Sequence, residues 1–172
     1  MKQPTLYLFV GHPGSGKTTA AELICSITNA THIWADRERQ KMFGRPTHSL
    51  TESGELYRRL NEKTRALLSA GKDVVFDTNF NYRVDRQRLR KIADTCGAKT
   101  VVVQMTTPEA LARQRALAPT HADRNGMHHH MAPETFERIV HHRQPLVNET
   151  TPVLLDGRNL TEESVKKALG LH

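Results

Sequence analysis

The sequence has no long hydrophobic stretch and only two cysteines. No apolar run approaches the ~20 residues that a membrane-spanning helix needs, so we expect no membrane partner. The chain leads from Met1 almost directly into a predicted strand, without the apolar core of a signal peptide. Cys25 and Cys96 lie far apart in predicted helices, which favours reduced thiols over a disulfide framework. Together these features predict a cytoplasmic protein.

Internal repeats and low-complexity linkers are also absent, and a chain of 172 residues is long enough to bury one core. We therefore expect a single domain over residues 1–172. Acidic residues are outnumbered, with 18 Asp and Glu against 25 Lys and Arg, which gives a net charge of +7. Such an excess favours anionic partners in general, although ATP alone would not require it. The composition leaves the oligomeric state open.

What the sequence does contain, close to its start, is a phosphate-binding motif. The motif G-x-x-x-x-G-K-[ST] and the residue after it read Gly11-His12-Pro13-Gly14-Ser15-Gly16-Lys17-Thr18-Thr19. An apolar stretch at 6–10 precedes it and predicts a strand buried on both faces, and residues 19–25 are typical of a helix. This motif requires strand, glycine loop and helix in that order, so the segment predicts a P-loop.

The residue types of this loop predict which ligand it binds. Glycines let the backbone wrap around a phosphate with its N–H groups pointing inward, and the helix N-terminus adds about half a positive charge. Lys17 then reaches the β- and γ-phosphates, and the Thr18 hydroxyl serves as a ligand for Mg²⁺. We therefore expect the chain to bind ATP with Mg²⁺.

Two charged residues follow the predicted second strand at 32–35. A carboxylate at the carboxyl end of a parallel strand faces the ligand crevice, where Asp36 would accept a proton from an attacking hydroxyl. Arg39, one helical turn further on, would hold an anionic group of the acceptor. The alternative is that Asp36 only caps the following helix, and spacing alone does not decide between the two roles.

A third strand, predicted after a helix over 52–70, ends in polar residues. Its last residues are Asp77, Thr78 and Asn79, and in this type of sheet a carboxylate there faces the metal or the acceptor. Five basic residues and one acid follow within residues 82–91. A solvated helix face is the usual explanation of such a run, and the alternative is that Arg83 or Arg86 contacts a substrate phosphate.

After a fourth strand at 99–105 and a helix that carries Arg113 and Arg115, the apolar periodicity stops between residues 118 and 132. We predict a short lid over approximately residues 114–132. Two groups of adjacent histidines lie in or after it: His128, His129 and His130, and then His141 and His142. Because no cysteine or carboxylate spacing completes a zinc site there, we favour lid residues that contact nucleotide or substrate.

Strands and helices alternate along the whole chain, with a fifth strand at 152–155 and a last helix capped by Thr161. This order predicts an α/β fold: a three-layer α/β/α P-loop NTPase with a five-stranded parallel sheet. The chain lacks an apolar strand ending in Asp-Glu, which ATPases use to place a hydrolytic water. A phosphotransferase with acceptor base, arginine clamp and lid fits better.

The chain resembles the small P-loop kinases related to the 5′-kinase domain of bacteriophage polynucleotide kinase, and more distantly the zeta toxins and chloramphenicol phosphotransferase. The resemblance rests on residues 11–18, the Asp36-x-x-Arg39 pair, the Asp77-Thr78-Asn79 triplet with Asn81 and Arg83 behind it, and Arg113. No room is left for the phosphatase domain that accompanies the phage kinase, so combined end-healing is not implied.

The resemblance implies a role for each matching residue. Asp36 would be the general base, and Arg39 would hold a neighbouring phosphate of the acceptor. Arg113 would lean over the donor phosphates in the transition state, although the lid matches too poorly to choose among Arg113, Arg115 and Arg124. The polar triplet would shape the acceptor site or its metal-bound water: Asp77, Thr78 and Asn79.

We therefore expect an ATP-dependent kinase that transfers the γ-phosphate to a hydroxyl. The favoured acceptor is the 5′-hydroxyl end of a nucleic acid, and a small molecule (nucleotide, sugar or antibiotic) is the alternative. A nucleotide-switched binding module or slow NTPase is an alternative of another class. The missing Asp-Glu and the spare carboxylate Asp36 argue against the binding module or slow NTPase.

Overall fold

The computed structural model of the chain describes residues 3–118 and 131–171. Its strands are β1 (Thr5–Val10), β2 (Thr31–Trp34), β3 (Val74–Asp77), β4 (Lys99–Met105) and β5 (Val153–Leu155). Its helices are α1 (Lys17–Thr28), α2 (Ala35–Phe43), α3 (Leu50–Ser69), α4 (Arg83–Thr95), α5 (Glu109–Leu117), α6 (Pro133–His141) and α7 (Glu162–Leu169).

The five strands form one sheet in the order β2-β3-β1-β4-β5, and every neighbouring pair is parallel. This confirms the predicted α/β fold with a five-stranded parallel sheet. β1 occupies the centre, between β3 and β4, so the loop after it emerges in the middle of the carboxyl edge. The ends of β2 and β3 lie on one side of that loop, and the ends of β4 and β5 lie on the other.

The central strand is buried on both faces, as its apolar sequence predicts. Leu6, Leu8 and Val10 pack in one core with residues of α3 and α4. Tyr7 and Phe9 pack in a second core with residues of α1 and α7. Helices therefore cover both faces of the sheet, and the two cores hold β1 and its loop rigidly in place.

The start of α2 decides between the two roles considered for Asp36. Trp34 has an extended backbone (φ −100°, ψ 106°) and occupies the N-cap position, so Asp36 already lies in the first turn of the helix. The alternative in which Asp36 caps α2 is therefore wrong. The Asp36 side chain is exposed at the end of β2. Thr161, by contrast, caps α7 in a reciprocal capping box with Ser164.

The lid predicted over residues 114–132 begins within α5 and ends just before α6. Its first residues, 114–117, belong to α5. Arg124 and His128–His130 lie outside the described residues. No helix in the described part of the chain combines the length and apolarity needed to cross a membrane.

Candidate active site

The loop between β1 and α1 has the backbone geometry of a phosphate cradle. Gly14 and Gly16 have φ angles of +77° and +97°, which side chains rarely permit. A Cβ on Gly14 would also lie 2.2 Å from the carbonyl oxygen of Ala112, so α5 packs directly against the loop. α1 begins at Lys17, which places the helix N-terminus at the end of the loop.

Lys17 lies folded over this loop and is almost fully buried. Its Nζ donates to the carbonyl oxygens of His12 (2.6 Å) and Gly11 (3.3 Å). Burial lowers the pKa of Lys17 to about 8, although the negative charges of Asp77 and Asp36 oppose this shift. The side chain therefore stays cationic at neutral pH. Both carboxylates lie close enough to act on its charge, which links the loop to the ends of β2 and β3.

His12 contributes a buried imidazole to the loop. Its ring lies 6.3 Å from the ring of Phe136 in α6, and its Nε2 lies 3.8 Å from a carboxylate oxygen of Glu109. Burial lowers the pKa of His12, as do the positive charges of Arg143 and Lys17, so the imidazole is neutral at pH 7. Its Nδ1 is buried without a hydrogen-bond partner among the described residues.

Two hydrogen bonds of the Thr107 hydroxyl, here called the brace, connect the P-loop to the segments that follow β4 and β5. The Thr107 hydroxyl, just after β4, donates to the carbonyl oxygen of Ser15 (2.7 Å) and accepts from the Gly157 backbone N–H (2.9 Å) after β5. A Cβ on Gly157 would lie 2.1 Å from the Ser15 carbonyl oxygen, so only glycine fits there. Sequence reasoning missed this brace; its only signal is a threonine and a glycine directly after two strands.

On the other side of the loop, Asp77 ends β3 opposite Trp34 of β2. Its side chain is only 4% exposed, and its Oδ2 lies 3.2 Å from Nε2 of His32. Thr78, the next residue, shares a hydrogen bond of 2.9 Å with the hydroxyl of Tyr57. Asn79 is exposed beside them. The polar triplet predicted for the acceptor side therefore lies at the carboxyl edge, and its role there remains a prediction.

Arg39, which was predicted to hold an acceptor phosphate, is buried against a carboxylate. Its Nη1 donates to Oε1 of Glu52 at 2.6 Å, and both Nη atoms lie 3.3 Å from the Ser53 hydroxyl. Burial alone would raise the pKa of Glu52, but hydrogen bonds from Thr47, Arg39 and His48 hold it at about 2. No local sequence pattern indicates this pair, and a phosphate role for Arg39 remains a prediction.

Arg86 is completely buried, so both explanations of the basic run fail for this residue. Its guanidinium forms an ion pair with Glu149 and donates to the carbonyl oxygen of Phe80 at 2.8 Å. Arg90 binds the same carboxylate at 3.1 Å. The cause is the helical period, which puts Arg86 on the face of α4 that also buries Leu89. Arg86 therefore contacts neither water nor a substrate phosphate.

The remaining arginines considered for the site are more exposed. Arg83 opens α4, where its backbone N–H donates to Oε1 of Gln144. Arg113 pairs with Glu137 of α6 at 2.8 Å, and Arg115 donates to the Gly157 carbonyl oxygen at 3.1 Å. The substrate roles assigned to Arg83 and Arg113 remain predictions.

The order of these features along the chain matches one protein family. The family model described as AAA domain matches residues 6–146, from β1 to beyond α6. The chain belongs to this AAA domain family. No curated protein matches the sequence of this AAA domain.

Solved structures share the fold of this AAA domain over nearly its whole length. A protein from Chloroflexus aurantiacus, named only provisionally as a kinase, matches with a TM-score of 0.77 and 16% identity, covering 98% of both chains. A gluconokinase from Sinorhizobium meliloti matches with a TM-score of 0.65 and 20% identity, covering 98% of this chain and 90% of its own. The Mycobacterium tuberculosis APS kinase CysC, in complex with AMPPNP and APS, matches with a TM-score of 0.66 and 19% identity, covering 99% and 98%. The fold is therefore that of small P-loop kinases.

Oxygen atoms at the carboxyl edge of this AAA domain are of the type that suits Mg²⁺ beside bound phosphates. Within residues 3–118 and 131–171, no three His, Cys, Asp or Glu side chains are grouped as a metal site. Magnesium at phosphate sites needs only one or two protein oxygens besides the phosphates. The half-buried Thr18 hydroxyl in α1 and the Asp77 carboxylate at the end of β3 are oxygens of this kind.

Proposed function

We propose that this AAA domain is an ATP-dependent kinase that transfers the γ-phosphate of ATP to a hydroxyl group of a small molecule. The observation that carries the proposal is the proximity of Lys17 to two carboxylates, Asp36 and Asp77, both of which act on its charge. A cation for the donor phosphates and a carboxylate for an acceptor hydroxyl are the minimum that a phosphotransferase needs. The kinase names of the structural neighbours support the same class.

Each residue has a distinct part in the proposed reaction. The P-loop N–H groups and Lys17 bind the β- and γ-phosphates of ATP. Asp36 takes the proton of the acceptor hydroxyl; its exposed position in the first turn of α2 leaves the carboxylate accessible to a bound molecule. A bond forms between the acceptor oxygen and the γ-phosphorus, the bond to the β,γ-bridging oxygen breaks, and ADP leaves. Mg²⁺, held through Thr18 and Asp77, would neutralise phosphate charge.

The distribution of charge favours a small acceptor over a polynucleotide. Arg86 and Arg90 bind Glu149, so they are not available to neutralise the phosphates of a strand. Arg39 is paired with Glu52. Three of the basic residues between β2 and the end of α4 are therefore already paired with glutamates, which leaves fewer cations for a chain of phosphates. Two of the structural neighbours, a gluconokinase and an APS kinase, are also small-molecule kinases.

Transfer of labelled γ-phosphate from ATP to a panel of acceptors tests this proposal. The panel contains sugars, sugar acids, nucleosides, nucleotides and 5′-hydroxyl oligonucleotides of several lengths, all at low salt. We expect label in at least one small hydroxylated compound and none in the oligonucleotides. Efficient labelling of oligonucleotides alone would overturn the small-molecule assignment. ATP turnover that no acceptor accelerates would instead support a nucleotide-switched binding module or slow NTPase.

A further inference from the structure

His32 of β2 lies beside Asp77, and the proposed reaction gives its imidazole no part. In the register of β2 and β3, His32 is opposite Val75, two residues before Asp77. Side chains alternate between the two faces of a strand, so all three of these side chains lie on one face of the sheet. Val75 packs there with residues of α1, the helix that begins directly after the P-loop. The imidazole therefore reaches Asp77 on the face that α1 covers.

A single hydrogen bond holds the buried carboxylate of Asp77. Its Oδ2 lies 3.2 Å from Nε2 of His32, and only 4% of the Asp77 side chain is exposed. An ionised carboxylate can only accept, so Nε2 carries the proton of this bond whether the imidazole is neutral or charged. In the part of the chain that the structure describes, no other group donates to Asp77. Lys17 donates to the carbonyl oxygens of the P-loop instead.

The ring of His32 is itself held in one orientation. It stacks on the ring of Trp34, with the two planes within 2° of each other and the centroids 6.0 Å apart. Offset parallel rings at this separation attract each other. Trp34 is buried, whereas the side chain of His32 is 23% exposed. The imidazole therefore has one face against a buried indole and one edge against a buried carboxylate, and turning Nε2 away from Asp77 would disturb both contacts.

This hydrogen bond divides the two oxygens of Asp77 between two partners. His32 occupies Oδ2, which leaves Oδ1 for Mg²⁺ or for a water bound to it. Carboxylates that bind metals are themselves held by hydrogen bonds from neighbouring groups, and these bonds fix their orientation. Without the imidazole, the buried carboxylate would also have no donor to replace the water it has lost. The bond therefore suits a carboxylate that must stay ionised and keep one oxygen in place.

We propose that His32 is a positioning residue, whose N–H holds the Asp77 carboxylate in the orientation that binds the Mg²⁺ of Mg-ATP. This inference rests on the proposed kinase function, in which Thr18 and Asp77 hold the metal. His32 acts through Asp77 and touches neither the nucleotide nor the acceptor. If the bond only stabilised the fold, its loss would not change the effect of Mg²⁺ on nucleotide binding. That effect therefore separates the two roles.

The strengthening of AMPPNP binding by Mg²⁺ tests this assignment without any acceptor. Titration calorimetry gives the Kd of AMPPNP in EDTA and in Mg²⁺, and we call the ratio of the two the Mg²⁺ factor. By thermodynamic linkage, this ratio also measures how much the protein strengthens metal binding to the nucleotide. His32→Phe keeps an aromatic ring against Trp34 but has no N–H. We expect it to lower the Mg²⁺ factor about 10- to 100-fold and to change the affinity in EDTA by less than about threefold.

Three further variants show whether the N–H is what matters. His32→Gln should recover most of the Mg²⁺ factor, because its amide keeps an N–H donor on a side chain of similar length. In an Asp77→Asn background, His32→Phe should change the factor less than about twofold, since the imidazole acts only through the carboxylate. Thr31→Val is the matched control, because it removes a hydroxyl from the neighbouring position of β2 on the opposite face. It should bind AMPPNP like the wild type in both conditions.

No strengthening by Mg²⁺ in the wild type, or the same Mg²⁺ factor in His32→Phe and the wild type, would overturn the assignment. Equal losses of affinity in EDTA and in Mg²⁺ would also overturn it, because they indicate a structural role alone. Thermal melting identifies a variant that has lost its fold, in which case His32→Leu, with a smaller side chain, replaces His32→Phe. If His32→Phe lowers the Mg²⁺ factor while no acceptor is phosphorylated, the role of His32 stands and the proposed kinase function fails.

Discussion

Nη1 of Arg39 lies 2.6 Å from Oε1 of Glu52, and both side chains are buried between α2 and α3. The Glu52 carboxylate also accepts two hydrogen bonds from Thr47 and one from His48, so it organises the segment that leads into α3. Tyr57, one and a half turns after Glu52 in α3, shares a hydrogen bond with Thr78 after β3. The geometry of the buried pair makes Glu52 the residue that determines where Arg39 points.

The low pKa of Glu52 predicts how stability depends on pH. Because its pKa is about 2 in the folded protein, below the ordinary 4.5, the folded state binds fewer protons and is stabilised above the unfolded pKa. That stability is lost as the pH falls from about 4.5 to about 2. We expect Glu52→Gln to melt at a lower temperature than the wild type at pH 7 and to approach it near pH 3. Melting curves across this range measure the effect.

A matched control is Glu62→Gln, which removes an exposed carboxylate from the same helix. It should leave the melting temperature within about 1–2 °C of the wild type at every pH. If Glu52→Gln lost no more stability than Glu62→Gln at pH 7, the Arg39–Glu52 pair would not organise this segment.

Lys17→Met should abolish phosphoryl transfer, because the variant loses the cation that the P-loop directs at the β- and γ-phosphates. The variant should still fold. It should also change how the free energy of unfolding depends on pH. Burial lowers the pKa of Lys17 to about 8, so between pH 8 and the ordinary 10.5 the unfolded state binds more protons than the folded state. The ionisation of Lys17 therefore makes the free energy of unfolding of the wild type rise with pH between about 8 and 10.5.

Urea unfolding at pH 7.5 and pH 10 measures that contribution. The gain in the free energy of unfolding from pH 7.5 to pH 10 should be smaller in Lys17→Met than in Lys72→Met. The second variant is the control, because it removes an exposed lysine. An unchanged difference would mean that Lys17 is not desolvated in the folded protein. Transfer activity that survives in Lys17→Met would contradict the assigned nucleotide site.

The sheet and the P-loop could be predicted from the sequence because each depends on local pattern. A buried strand, a glycine loop and a helix follow one another within about 25 residues, so their geometry needs no distant partner. The start of α2 was harder, since the two roles of Asp36 differ by the position of a single helix boundary. Boundaries of this kind depend on backbone angles that the composition does not determine.

The partners of the charged residues could not be predicted in the same way. Arg86 and Glu149 are 63 residues apart, and nothing in the run of arginines marks Arg86 as the buried one. The brace formed by Thr107 and Gly157 joins loops after two different strands. Phe136 lies beside His12 of the P-loop only because α6 docks there. Each of these contacts depends on strand order and helix docking, which short-range periodicity does not encode.

Asp36→Asn should retain ATP binding and lose about 10²- to 10⁴-fold in transfer rate, the usual contribution of a positioned general base. Asparagine keeps the shape of the side chain but cannot take the acceptor proton. Since Asp36 is exposed and does not cap α2, the free energy of unfolding should change by less than about 0.5 kcal/mol. Asp85→Asn, in the first turn of α4, is the control for the loss of a helix-terminal charge. Equal rates for the two variants would rule out Asp36 as the base.

The buried pair of Arg86 and Glu149 gives the last prediction, which separates structure from nucleic-acid binding. Arg86→Met leaves the Glu149 carboxylate buried with Arg90 as its remaining cation, and we expect a loss of about 3–5 kcal/mol in the free energy of unfolding. Arg88→Met, which removes an exposed arginine of the same helix, should lose less than about 1 kcal/mol. Urea unfolding of both variants measures the difference.

The double variant Arg86→Met/Glu149→Leu completes this test, because it removes both members of the buried pair. It should recover much of the stability lost in Arg86→Met, since no carboxylate is then left buried with an incomplete set of partners. Single-stranded DNA binding, measured against salt concentration, should have the same slope in the wild type and in the double variant. If Arg86 instead contacted a strand, its loss would reduce the magnitude of the slope by about 0.7. That change, together with an undiminished stability of Arg86→Met, would contradict the buried pair and reinstate a polynucleotide contact on α4.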